Sequence, residues 1–493
     1  MKRPALAELQ PRYDLIVIGG GITGAGVLLE AARTGASALL LERNDFASGT
    51  SSGSSKLVHG GLRYLKSGQW RLTLESVRER QRLLAEAPDL VETQAFMMPI
   101  YRGASPGKSA IRLGLWIYDR MAGAGESRWV EAAEALRLEP QIRREGLLGA
   151  MLYDDARTND ARLVMSLIVD ACAAGATARN YTRVTGLLNA DGRTRGVSVL
   201  EADGATREIE AGIVIDATGA NAGKLQSDGS APRLRPLRGS HFIFARDKLP
   251  VGRAVSWLHP RDRRPIFAYP WEGVTLYGTT DLDHDGTDDA ASRMSAAESD
   301  YLIEGLAHQF PELKLGAGDA LCCYSAVRPV VAGGRASPSA ESRESAMWSA
   351  PGLVGITGGK LTTFRVTARQ VLRQAARQQP KLMPAADAPL FAKPTGSAMR
   401  TQTRTTEDIA LVGTKYSLAK IRLAARHEQV VHLDDLMLRR TRLGLITPSG
   451  GRALLSRLQP VCQEELGWSE AQWREEEKRY LELWAKNHAP RPA

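Results

Sequence analysis

The chain has 493 residues, 43% of them hydrophobic, with 65 Lys and Arg against 55 Asp and Glu and a formal net charge of +10. That length is too great for one simple core and implies two or three domains, while no window approaches the roughly 18 to 20 uninterrupted apolar residues of a membrane span. The four cysteines, at 172, 322, 323 and 462, have neither metal-ligand spacing nor a disulfide framework, so no metal site is expected and a reducing compartment is. Basic residues are scattered among acidic ones and no nucleic-acid-binding signature is present. The surplus charge points instead to an anionic small molecule or an anionic membrane surface.

Early basic residues and the apolar run Tyr13 to Ile18 mimic a signal peptide, but the run is only six residues long and dissolves into glycines. Secretion is therefore not expected. The same run, YDLIVI, reads as a buried strand. It leads into Gly19-Gly20-Gly21-Ile22-Thr23-Gly24 and the helical stretch Ala25 to Ala32; a second apolar strand, Ala38 to Leu41, ends on Glu42. Strand, G-x-G-x-x-G, helix, strand and acidic residue stand in the order a dinucleotide site requires. Gly19 makes the tight turn, Gly21 lets a pyrophosphate approach the backbone, and Gly24 lets the helix pack on the strand. The helix N-terminus offers free N–H groups to the phosphates, and Glu42 can accept ribose hydroxyls.

Asp45 to Leu65 (DFASGTSSGSSKLVHGGLRYL) is too polar and too rich in Gly and Ser for a strand. Its hydroxyls and glycines suit a loop that wraps a pyrophosphate and presents N–H groups to a flavin ring, and they equally suit a flexible surface loop. Lys108 to Met121 reads as a helix with Ile111, Leu115, Trp116, Tyr118 and Met121 near one face, and Lys108, Arg112 and Arg120 available to lipid headgroups. A helix packed on the core has the same pattern. Ala161 to Gly175 reads as a helix, Thr177 to Leu188 as a strand, and Ile213 to Gly219 as a strand ending in a glycine turn. Antiparallel alternation follows at 241–244, 265–269 and 274–280, and Gly352 to Gly359 leads into a helix from Leu361 to about Gln378. The expected fold is α/β. A Rossmann-like dinucleotide-binding domain (1–80, 150–230 and 346–380) is interleaved with an antiparallel-sheet substrate or cap domain (81–149 and 231–345). A Pro- and Ala-rich linker then precedes a C-terminal helical domain (398–493).

The segment TSSGSSKLVHGGLRYL is followed, in order, by Asp154-Asp155-Ala156-Arg157, Asp160-Ala161-Arg162-Leu163, Asp216-Ala217-Thr218-Gly219-Ala220 and Arg238-Gly239-Ser240-His241. Next come Pro270-Trp271, Gly278-Thr279-Thr280-Asp281, Tyr324-Ser325-Ala326-Val327-Arg328-Pro329 and Gly358-Gly359-Lys360-Leu361-Thr362-Thr363. Asp434-Asp435 and Arg439-Arg440-Thr441-Arg442-Leu443 close the series. Together these motifs closely resemble the FAD-dependent glycerol-3-phosphate dehydrogenases, within the wider family of flavin amine and alcohol oxidases similar to D-amino-acid oxidase.

The resemblance implies FAD as cofactor and oxidation of sn-glycerol 3-phosphate to dihydroxyacetone phosphate, hydride passing from C2 to flavin N5. Besides Gly19, Gly21, Gly24 and Glu42, it assigns Ile22, Thr23 and Arg43 to the cofactor. In the flavin loop it adds Thr50, Ser51, Ser52, Ser55, Lys56, Leu57, His59, Gly60 and Gly61. Val184, Ala217, Thr218 and Gly219 follow, then Gly358, Gly359, Leu361 and Thr362. Such chemistry needs cations for the phosphate, a base near the hydroxyl and positive potential near the reduced ring. Arg63, Arg328 and Arg343 are the phosphate candidates, with Tyr64 and Thr279 as hydrogen-bonding partners and Lys360 as a cation near flavin or phosphate. His241 is the candidate base, since imidazole titrates near neutral pH; His59 is expected to pack beside the cofactor. The resemblance further implies a homodimer, delivery of electrons to quinone, and a cytoplasmic enzyme peripheral on the inner face of the cell membrane. An oxidase on the same scaffold, using dioxygen on glycerol phosphate or another small alcohol or amine, is the alternative. A flavin-binding protein without catalysis would need broken site residues, and these are in place.

Overall fold

The computed structural model describes residues 1–62, 68–123, 127–201, 204–226, 229–284, 293–334, 341, 344–385, 389–391, 410–411 and 413–490. In chain order the strands are β1 (Arg12–Ile18), β2 (Ala38–Leu41), β3 (Val91–Tyr101), β4 (Arg128–Glu131), β5 (Leu147–Thr158), β6 (Thr177–Arg179), β7 (Thr182–Ala190), β8 (Arg193–Glu201) and β9 (Thr206–Asp216). They continue with β10 (Leu234–Phe244), β11 (Ala254–Leu258), β12 (Pro265–Trp271), β13 (Val274–Gly278), β14 (Leu282–Asp283), β15 (Ala320–Val331), β16 (Ser345–Ala350) and β17 (Leu353–Gly358). The helices that matter below are α1 (Ile22–Ala32), α2 (Trp70–Glu86), α3 (Lys108–Ala122), α4 (Asp160–Ala173), α5 (Ala296–Gln309), α6 (Phe364–Ala376), α7 (Leu418–His427), α8 (Leu455–Leu466) and α9 (Glu470–Asn487).

The first sheet runs β16-β17-β9-β1-β2-β6, with β8 added antiparallel to β9 and β7 antiparallel to β8. β1 pairs in parallel with β2 and β9, so Ile18 stands level with Leu41 and Asp216. Both faces of β1 and β2 are covered, which is why they read as unbroken apolar runs rather than alternating ones. Leu15, Ile16, Val17, Leu39 and Leu40 are all 0% exposed. Helices α1, α4 and α6 pack on this sheet, and Gly26 of α1 leaves room for the Phe364 ring. Three parallel strands thus end side by side at the N-terminus of α1, where open α/β sheets bind ligands.

The second sheet runs β14-β10-β13-β12-β11-β3-β5-β4, with β15 also on β10. It is antiparallel except where β11 meets β3. β5 (Leu147–Thr158) pairs with β3 and β4 here, so the chain re-enters the first layer at α4, not at residue 150 as the sequence suggests. The C-terminal helices pack on the face of this sheet that also meets the Gly- and Ser-rich loop: Leu436, Met437, Leu443, Tyr480 and Trp484 share one apolar core with Leu57, Ile243, Cys322 and Tyr324.

α2 joins the two layers. Thr73, Ser76, Val77, Arg80 and Leu83 fall on its inner face at helical spacing. Glu79 is also buried, and burial pushes its carboxyl up to about 7, assisted by Glu75 and Glu86. Between the unfolded value near 4.5 and about 7 the native state therefore holds the extra proton, and stability is lost as pH rises through that window. Glu79→Gln removes the cost of ionisation. It is expected to raise stability by on the order of 1–3 kcal/mol near pH 8 and by nothing near pH 4, read from urea melts at both.

Candidate active site

The ends of β1, β2 and β9 open into one cavity of about 2040 Å³. Its floor is the glycine turn. Gly19 has φ +110°, and a Cβ there would lie 2.5 Å from the Ala217 carbonyl oxygen. A Cβ on Gly24 would lie 1.9 Å from the Gly19 oxygen, so α1 can approach the turn only without one. A Cβ on Gly21 would meet only the Ser51 hydroxyl, at 3.0 Å, leaving this backbone facing open space. Glu42 closes the side: its carboxylate accepts the Gly20 N–H at 2.7 Å and the Asn44 N–H at 2.8 Å while still lining the cavity.

The Gly- and Ser-rich loop is an ordered wall, pinned from both sheets. The Ser51 hydroxyl accepts the Ile22 N–H at 2.9 Å. Tyr269 and Tyr324 donate to the Ser55 and Ser54 carbonyls at 2.6 and 2.9 Å. Gly60 donates to the Tyr118 hydroxyl at 2.9 Å and to Asp155 at 3.2 Å, and Arg80 holds both of these partners from α2. The residues of this loop facing the cavity include Thr50, Ser51, Ser55, Leu57, His59 and Gly61. Lys56 does not face it. With φ +53° it turns inward, is 0% exposed, and pairs with Asp160 at 3.2 Å beneath the Tyr324 and Trp271 rings. Ser52, Gly24 and Gly60 are likewise outside the lining and act on its shape. Ile22, Thr23, Arg43, Val184, Ala217, Thr218, Gly219, Gly358, Gly359, Leu361 and Thr362 do line the cavity.

On the substrate side, Arg328 and Thr279 face the same space. Arg328 donates to Asp281 at 3.0 Å and to the Thr279 hydroxyl at 3.1 Å, which fixes the guanidinium plane. Asp281 is buried and also pairs with Arg264 at 3.4 Å, a cavity residue that nothing in the sequence singles out, since it sits in a hairpin turn among other arginines. Lys360 also lines the cavity, in the turn after β17, where Gly358 and Gly359 have φ +74° and +80°; its ammonium donates to Ser76 on α2 at 3.0 Å. Arg63, Tyr64 and Arg343 lie outside the described residues.

The expectation for His241 is corrected. Its ring is 0% exposed, stacked 4.7 Å from the Tyr324 ring, with Nε2 at 2.9 Å from the Ser55 hydroxyl, and it does not line the cavity. Burial, with Arg328 and Lys56 nearby, holds its pKa well below the ordinary value, so it stays neutral and resists taking up a proton. It supports Ser55 from behind. His59 does line the cavity, with its carbonyl accepting from Thr362.

Comparison with known proteins agrees with this geometry. The family described as "FAD dependent oxidoreductase" matches residues 14–371, and "C-terminal domain of alpha-glycerophosphate oxidase" matches residues 396–473. The aerobic glycerol-3-phosphate dehydrogenase of Bacillus subtilis (strain 168) is 36% identical over 374 residues, covering 73% of this chain and 66% of that protein. Its namesake from Staphylococcus aureus (strain USA300) is 35% identical over 379 residues, covering 75% of this chain and 68% of that protein. The chain belongs to the FAD-dependent oxidoreductase family, within the aerobic glycerol-3-phosphate dehydrogenase group. The aligned part spans about two thirds of these relatives' length. In fold, the FAD complex of the Bacillus halodurans glycerol-3-phosphate dehydrogenase superposes with a TM-score of 0.73 at 24% identity, covering 97% of this chain and 95% of that one. L-α-glycerophosphate oxidase from Mycoplasma pneumoniae, with FAD bound, gives 0.58 at 17% identity over 78% and 98%.

The cofactor of the family, FAD, fits the residues present. The bare backbone at Gly21, the N-terminus of α1 and the Glu42 carboxylate suit the pyrophosphate and ribose, and the Gly358–Thr362 turn suits the ring.

Proposed function

We propose that this chain oxidises sn-glycerol 3-phosphate at C2 to dihydroxyacetone phosphate and passes the electrons to a membrane quinone. The observation carrying this reading is that Arg328, Lys360 and His59 line the same cavity as the glycine cradle. FAD, when bound, supplies the two-electron acceptor for the hydrogen on C2. Arg264, Arg328 and Lys360 line one cavity, Arg264 and Arg328 both bonded to Asp281 and Lys360 standing near Glu75, and their guanidinium and ammonium groups suit recognition of a phosphate ester. Asp281 and Thr279 hold the Arg328 fork in one plane, so little ordering remains to be done when phosphate arrives. His59 takes the C2 hydroxyl proton, as an imidazole can near neutral pH.

The test is anaerobic addition of sn-glycerol 3-phosphate to the purified yellow protein. The visible flavin band is expected to bleach with this compound and not with glycerol. A protein that keeps its colour with both would overturn the substrate assignment. His59→Gln is expected to retain FAD but bleach about 100- to 10,000-fold more slowly, the usual span for loss of a general base. A variant bleaching at the parent rate removes His59 from the role.

Contact with a membrane surface is proposed for α3. Its Leu115 and Tyr118 are buried, yet Leu113 and Trp116 are 58% and 54% exposed, as is Trp70 at 48%. Leu113 and Trp70 also line the cavity, so its mouth opens beside exposed apolar side chains flanked by Arg112 and Arg120, suiting a lipid-soluble acceptor. No helix among the described residues is long and apolar enough to cross a membrane. Transfer of electrons to dioxygen is the second reading, favoured by the match to an oxidase C-terminal domain. Stoichiometric hydrogen peroxide during turnover identifies it.

A further inference from the structure

The Arg439-Arg440-Thr441-Arg442 segment lies in the C-terminal domain, where a π-helical turn (Asp435–Arg440) follows α7. Its arginines do not serve that domain's own apolar core. Arg439, Arg440 and Arg442 are 8%, 3% and 1% exposed, and all three reach into the dinucleotide-binding layer. Arg440 forks onto Asp45, with Nη1 and Nη2 each 2.7 Å from a carboxylate oxygen, and Arg439 bonds the same group. Arg442 pairs with Asp160 and donates to Asn159 at 3.1 Å.

These two carboxylates are the anchor points of the flavin loop. Asp45 opens it, three residues after Glu42, and is 1% exposed. Asp160 accepts the Ser54 hydroxyl at 2.7 Å, the Ser54 N–H at 3.2 Å and the Lys56 ammonium at 3.2 Å, at the loop's midpoint. Arg439 also bonds Asp434 and Asp435, at 2.7 and 2.6 Å. Four cations (Lys56 and the three arginines) thus meet four carboxylates out of water. Burying so many charges gains little net stability over apolar packing, and the best-attested benefit of such a cluster is to fix one register.

We propose that Arg439, Arg440 and Arg442 are positioning residues for FAD: docking of the C-terminal segment holds residues 45–61 in the shape that binds the dinucleotide. Domain docking and cofactor binding form one coupled equilibrium, and by linkage FAD favours docking by the factor by which docking favours FAD. The proposal rests on the FAD site and not on the identity of the substrate, so it is tested without substrate.

The experiment measures the FAD dissociation constant of the full-length apoprotein by quenching of flavin fluorescence. Arg440→Met is expected to weaken FAD by about 10- to 100-fold, within the usual range of coupling between two binding events, with Arg440→Lys recovering part of the loss. Asp45→Asn is expected to do the same, and Arg440→Met combined with Asp45→Asn to lose less than the product of the two. The control is Arg422→Ala, which breaks pairs with Glu464 and Glu465 inside the C-terminal helices at 2.7 and 2.8 Å. It is expected to lower the melting temperature and leave FAD affinity unchanged. A folded Arg440→Met with parent affinity overturns the proposal, as does an Arg422→Ala that weakens FAD equally, since that is loss of global stability alone. Should Arg440→Met fail to fold, Arg442→Lys keeps a charge beside Asp160 but cannot also bond Asn159 and the Leu438 carbonyl, and parent FAD affinity in that variant is equally fatal. A wrong substrate assignment changes none of these constants.

Discussion

Arg328→Met is expected to lower kcat/KM for sn-glycerol 3-phosphate by about 100- to 1000-fold, most of it in KM. Removing one member of a desolvated, hydrogen-bonded charge pair costs about 2–5 kcal/mol, and each 1.4 kcal/mol is tenfold. Two losses add. The phosphate loses a cation held in plane by Asp281 and Thr279, and the buried Asp281 loses the guanidinium at 3.0 Å while Arg264 stays at 3.4 Å. Arg328→Lys is expected to recover only part, because one ammonium cannot span both partners and still present a planar edge. Arg264→Met loses less, since the geometry of Arg328 survives it. Steady-state kinetics with glycerol phosphate and with unphosphorylated glycerol separate the effects: the arginine variant narrows the preference between them. An Arg328→Met enzyme with full FAD content and parent kcat/KM would place the phosphate elsewhere in the cavity.

What could be read from the sequence was what is local. Gly19 and Gly24 announce a turn and a close helix approach because steric need acts within a few residues, and both meet backbone at the distance expected, while Gly21 leaves open space in front of it. The apolar run ending at Ile18 needed no partner to be recognised as a buried strand. The flavin loop was legible only through its resemblance to a known motif; as composition it could equally have been a surface loop, and its order comes from Tyr269, Tyr324, Tyr118 and Asp160, far away along the chain. His241 shows the limit most clearly. Alternation along β10 would give one inner and one outer face, but apolar cores cover both faces, Ile243 lying in one and Phe242 and Phe244 in another, and Gly239 to Phe244 are all buried. No pattern remains to say which side the imidazole takes, so chemistry alone selected it over His59. Lys56 fails similarly: a left-handed φ reverses its side chain, and the acid that receives it is 104 residues away. Helix α3 was ambiguous for a better reason. Leu115 and Tyr118 pack inward while Leu113 and Trp116 face out, so its core-packing and surface readings describe different faces.

Gly24→Ala is expected to give a colourless protein whose FAD affinity is reduced by at least about 100-fold. A Cβ at this position lies 1.9 Å from the Gly19 carbonyl oxygen and 3.1 Å from its carbon, and that neighbour is backbone in a turn already at φ +110°. Neither side can yield by rotating a side chain. Either α1 lifts from β1, carrying its N-terminus away from the phosphates, or the turn opens towards Ala217, whose oxygen already approaches Gly19 too closely to admit a Cβ. Overpacking of ordinary side chains costs about 1–3 kcal/mol, and a backbone contact with no route of relaxation belongs at or above the top of that range. Gly26→Ala separates this from general crowding in the same helix. Its Cβ would meet the Phe364 ring at 2.9 Å, on the face packed against α6, and that ring can move. Gly26→Ala is therefore expected to lower the melting temperature while binding FAD with parent affinity. Fluorescence titration of both apoproteins decides the matter. If Gly24→Ala binds FAD as the parent does, the cradle is not what holds the pyrophosphate; if Gly26→Ala loses affinity equally, the helix as a whole matters and not the glycine contact at its start.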